Sequence, residues 1–168
     1  MTASKNGLLN TYSLLFGAVC AFFCIMTMVL SGSPYEMIHK FNSVRMIPPM
    51  WLWRLCFLVW SFLLGVSVGT VFYEGVCGRL SPEREALAYK GGVFFTFILF
   101  LFCLHYPLFF SLERLFISFL FALGALICSV FCAVIWSKIS RTASILLVGA
   151  AFWQLYAVFV NACVLVSN

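Results

Sequence analysis

Apolar residues fill this chain in five long stretches, separated by short polar clusters rather than alternating with them. Charged side chains are absent from residues 6–35, 55–73, 91–112, 115–137 and 142–168. A bilayer hydrocarbon core about 30 Å thick takes about 20 apolar residues of helix to cross, and each stretch reaches that length or nearly so. A soluble helix buries one stripe and keeps a polar face, whereas GGVFFTFILFLFCLHYPLFF is apolar all round. Soluble strands are about 4–8 residues long, and membrane barrels alternate polar and apolar residues over segments of about ten; the stretches fit neither. The pattern predicts an all-α integral membrane protein, a five-transmembrane-helix bundle forming one domain over 1–168. Its helices cover about 9–30, 50–73, 88–111, 114–137 and 142–166. The first apolar run, Leu8–Leu30, exceeds the roughly 7–15 residues of a signal-peptide core and is read as a retained helix.

The polar clusters mark the helix ends. Pro48–Pro49 cannot continue a helix from upstream but suit the first turn of the second one. Ser81 reads as an N-cap, with Pro82 behind it and Glu83 and Glu85 beside the positive helix end. Five crossings place the two ends of the chain on opposite sides of the membrane. Lys5, Arg79, Arg84, Lys90, Lys138 and Arg141 fall on one side, and Lys40, Arg45, Arg54 and Arg114 on the other. Cytoplasmic loops carry an excess of Lys and Arg; six against four does not orient this bundle.

Composition agrees: 64% of residues are hydrophobic, against roughly 45–50% in soluble domains. It also narrows the chemistry. There is no Asp, the Glu residues lie in the polar clusters, and the two histidines are His39 and His105. Paired carboxylates, phosphate-binding glycine loops and serine nucleophile elbows are missing, so the chain reads as a non-enzyme with no required cofactor and no nucleic-acid partner. Seven of the eight cysteines lie within apolar stretches. Cys20/Cys24 and Cys128/Cys132 share helix faces at i,i+4 spacing. Without carboxylates or a histidine on the same helix they read as small apolar packing residues rather than a metal site.

What remains is aromatic and apolar. Trp53, Phe57 and Trp60 share one face of the second helix, with Trp51 at its mouth. The face suits a flat ligand or ordinary packing, and Trp51 suits a ligand role or an interfacial aromatic belt. Trp153, Ala157 and Asn161 line one face of the fifth helix, near Gln154 and Tyr156; an amide in hydrocarbon needs a partner, so Asn161 should point inward. His105 is an ionisable group deep in a span. That marks either function or a neutral ring bonded to a carbonyl freed by Pro107. Gly65-x-x-x-Gly69 lets helices approach closely, either within the bundle or across a homodimer. Val71-x-Tyr73-x5-Arg79 fits a proposed sterol motif.

Three stretches together resemble the TspO/MBR family of translocator proteins, also called peripheral benzodiazepine receptors. IPPMWLWRLCFLVWSFLLG resembles the family's Pro-Pro-x-Trp opening through Pro48, Pro49, Trp51 and Gly65; HYPLFF resembles the end of its third helix; SRTASILLVGAAFWQLYAVFVN resembles its last helix, matching at Trp153, Ala157 and Asn161. Family Trp, Asn and Trp positions are Phe57, Phe102 and His105 here, a Pro-Tyr pair is Gly149 and Ala150, and the first loop lacks its Trp-Tyr. The resemblance implies a five-helix bundle with a pocket opening toward the first loop. It implies Trp51, Trp53, Phe57, His105, Trp153, Ala157 and Asn161 as pocket residues, and a tetrapyrrole such as protoporphyrin IX or haem, or a sterol, as ligand. An imidazole at His105 could ligate haem iron. The implied role is membrane translocation or sensing, at the mitochondrial outer membrane in a eukaryote. The alternative is a membrane interaction protein whose pocket has degenerated.

Overall fold

The computed structural model describes residues 10–31, 48–77 and 80–167. The first loop, Lys5 and Arg79 of the proposed sterol motif lie outside these residues. Among the described residues five helices run in chain order: α1 (Thr11–Leu30), α2 (Met50–Val76), α3 (Pro82–Phe110), α4 (Leu115–Ser137) and α5 (Arg141–Ser167). All five are long and apolar enough to cross a membrane, and no strand occurs among the described residues.

Local chemistry sets the helix ends. Asn10 caps α1, its side chain accepting from Ser13 N at 2.7 Å. Pro49 occupies the N-cap of α2. Ser81 caps α3 ahead of Pro82, with Glu83 and Glu85 in the first turn. That start is six residues earlier than the absence of charge suggests, because the first turns of α3 are helical yet charged. α2 likewise runs through Glu74 to Val76. Between α3 and α4 the chain turns within four residues, Glu113 taking the left-handed conformation at φ 51°.

The helices close into a ring in the order α1, α2, α5, α4, α3, with α3 returning to α1. The α1–α2 contact is the closest. Gly65 and Gly69 lie directly on the α1 backbone: a Cβ on Gly65 would sit 2.2 Å from the Phe16 carbonyl oxygen, and one on Gly69 2.5 Å from Ser13 Cα. The two glycines therefore pack within the bundle. Thr70 donates to its own helix at Val66 O, so Ser13 is the donor in the 3.1 Å bond between their hydroxyls.

Small polar groups fasten three further seams near the side where α2 ends. Ser67 Oγ donates to Ala143 O at 2.9 Å, Ser144 Oγ to Ala133 O at 2.9 Å and Cys132 Sγ to Gly91 O at 3.3 Å. On that side a groove of about 530 Å³ lies between α2 and α3, lined by Val71, Phe72, Tyr89 and Trp136 among others. On the opposite side, where the first loop emerges, aromatic rings fill the interior. The outer surface carries exposed large apolar side chains on every helix, as a lipid-facing surface should. A smaller groove of about 380 Å³ between α4 and α5 belongs to it, lined by Val130, Val134, Val148 and Phe152.

Candidate functional site

The site lies in the half of the bundle nearer the first loop. There α2 turns Trp53 and Phe57 inward, one helical turn apart. α3 brings Phe102 and His105 to the same level, α4 contributes Ala122 and Ala125, and α5 supplies Trp153, Gln154 and Ala157; these nine side chains line one cavity. Five of the seven residues anticipated from sequence, Trp53, Phe57, His105, Trp153 and Ala157, thus come together. Asn161 lies one turn beyond Ala157, fully buried. Trp51 does not reach the cavity: it is 67% exposed at the outer start of α2, a position suited to a membrane–water interface. Trp60 also turns elsewhere and packs over Gly149, where a Cβ would approach its ring to 2.8 Å. The missing side chain at Gly149 makes room for that indole.

The walls are rings in contact. Trp53 meets Trp153 edge-on at 5.2 Å and lies parallel to Phe109 at 6.5 Å. Phe57 stacks on Phe102 at 4.2 Å, their planes 14° apart. His105 lies parallel to Phe109 at 6.0 Å. The space left over is about 10 Å³, close to the minimum that holds one water.

Behind His105 the polar groups form a chain. Asn161 Nδ2 is 2.7 Å from the Ala157 carbonyl oxygen. A carbonyl can only accept, so this atom must be the amide nitrogen. Its second hydrogen then points to His105 Nε2 at 3.0 Å, which accepts and places the imidazole proton on Nδ1. Asn161 Oδ1 accepts from Ser118 Oγ at 2.9 Å. The chain Ser118–Asn161–His105 ties α4, α5 and α3 together, with a side-chain amide as the partner of His105 Nε2.

Gln154 stands apart from this network. It is 2% exposed, and neither Nε2 nor Oε1 has a hydrogen-bond partner among the described residues. An unsatisfied buried polar group costs about 1–3 kcal/mol, so a partnerless amide lining a cavity is the least settled feature of the interior. Sequence reasoning placed Gln154 near the site without assigning it a role. Phe102, Ala122 and Ala125 were not anticipated as lining residues. The two alanines gave a faint signal, being small residues in a helix otherwise rich in Leu, Ile and Phe.

Ligating chemistry is sparse. Among the described residues no three His, Cys, Asp or Glu side chains converge to hold a metal ion. The described cysteines are unpaired thiols, with Cys20, Cys24 and Cys132 buried and Cys77 exposed.

The family model for TspO/MBR matches residues 13–166. The chain belongs to the TspO/MBR family. The match covers nearly the whole chain, and with five spanning helices it makes this a multi-pass integral membrane protein of the translocator and receptor type. No curated protein and no solved structure matches the chain.

Proposed function

We propose that this TspO/MBR protein is a non-enzymatic binder of a flat hydrophobic ligand, a tetrapyrrole or a sterol, acting in transport or sensing. The observation that carries the reading is the convergence of α2, α3 and α5 aromatics on one cavity that also holds a partnerless amide. Cofactor sites are mostly apolar with a few placed polar groups, and this cavity has that make-up. In a eukaryotic cell the family resemblance favours the mitochondrial outer membrane. Titration of the purified protein with protoporphyrin IX, read by tryptophan quenching, tests the reading. Saturable quenching is expected, weakened roughly fivefold in Trp153→Leu, since an aromatic pair contributes on the order of 1 kcal/mol beyond burial. Haem should bind no more tightly than the metal-free porphyrin, because His105 Nε2 already accepts from Asn161.

One observation favours a second reading, a membrane interaction protein with a degenerated pocket. The cavity is about 10 Å³, and Phe102, at a position where the family carries Asn, covers the Phe57 ring. On that reading quenching is linear and unsaturable, and Trp153→Leu does not change it.

A further inference from the structure

The cavity has two sets of polar groups, and they differ in whether their acceptors are already used. Asn161 spends both amide hydrogens on Ala157 O and His105 Nε2, and its oxygen accepts from Ser118. His105 therefore offers no free acceptor at Nε2 and only its Nδ1 hydrogen as a donor, so it cannot pair with a donor and an acceptor at once. Gln154 offers both a donor and an acceptor, on a side chain that is 2% exposed and lines the same cavity. Ala157, one turn along the same helix, and Ala122 and Ala125 opposite keep the lining small in bulk beside it.

We propose that Gln154, rather than His105 or Asn161, is the polar recognition element of this cavity. It selects ligands whose flat apolar body carries a hydrogen-bond donor beside an acceptor: a carboxamide, a lactam or an un-ionised carboxylic acid. The inference rests on the ligand-binding reading above and adds the chemistry of the ligand's polar edge. An amide facing an amide can form two parallel N–H···O bonds, satisfying both orphaned atoms of Gln154 at once. An ionised group is disfavoured there, because an apolar interior penalises an unpaired charge heavily and Gln154 carries none to pair with it.

The test compares two flat probes of nearly equal shape, 1-pyrenecarboxamide and 1-isopropylpyrene, by energy transfer from tryptophan in lipid nanodiscs. Wild type is set against Gln154→Met, which keeps the length of the side chain and removes its polar atoms, with Gln154→Leu as a second variant if the first folds poorly. The carboxamide should lose about tenfold in affinity, equivalent to about 1.4 kcal/mol, while isopropylpyrene binds the variant as well as wild type or better. The ligand-free variant should also melt higher, since it no longer buries an unsatisfied amide. An unchanged ratio of the two affinities overturns the role of Gln154 and leaves the pocket standing. No saturable binding of either probe to wild type overturns both.

Discussion

Asn161 makes three hydrogen bonds at a depth where water is not at hand to replace any of them. Two of them reach other helices, and interhelical hydrogen bonds in membranes average about 0.6 kcal/mol each, so Asn161→Ala should destabilise the bundle by about 1 kcal/mol. Reversible unfolding in mixed micelles measures this; a change under half that size would mean the network is not formed. The inward direction of Asn161 was legible from sequence because an amide in hydrocarbon must find a partner. The identity of that partner was not, since His105 and Ser118 come from other helices. Gln154 illustrates the same limit from the other direction. Its residue type was visible, but lacking a partner is a property of the assembled interior.

The helices themselves were read from missing charge, and that signal reports hydrocarbon rather than helix. It located all five elements yet placed the start of α3 near residue 88 instead of Pro82, because the turns carrying Glu83, Arg84 and Glu85 stand outside the apolar stretch. Gly65-x-x-x-Gly69 was legible as a close-approach motif, though α1 could not be named as its counterpart. Its location yields a paired expectation. Gly65→Ala would force a Cβ to within 2.2 Å of the Phe16 carbonyl and should cost about 1–3 kcal/mol, as overpacking does. Gly92→Ala, with nothing within 4 Å, should be neutral or stabilise by about 0.5–1 kcal/mol, since alanine is the better helix former. Thermal unfolding of the two variants, compared side by side, checks the contrast. Equal losses would contradict the α1–α2 packing.

Across the whole molecule, an odd number of crossings separates the two ends. Asn10 and Cys77 fall on one side and Ser167 on the other. In sealed vesicles of uniform orientation, a membrane-impermeant maleimide that reaches Cys77 should come from the side where an N-terminal tag is accessible and a C-terminal tag protected; both tags accessible together would refute five crossings. The ring order of the helices was not legible, because helices apolar all round do not announce which face turns inward. That order has a mechanical consequence for the small cavity. α2 is held to α1 at backbone distance, and α4 is fastened to α5 and α3 through Ser144 and Cys132. Between α2 and α3 the bundle gapes at one end in the 530 Å³ groove. At the other end the Phe57–Phe102, Trp53–Phe109 and Trp53–Phe110 ring pairs span that junction, and Ser111 Oγ donates to Ser31 O to tie α3 to α1. The bundle is thus clasped at the end that holds the cavity and splayed at the other.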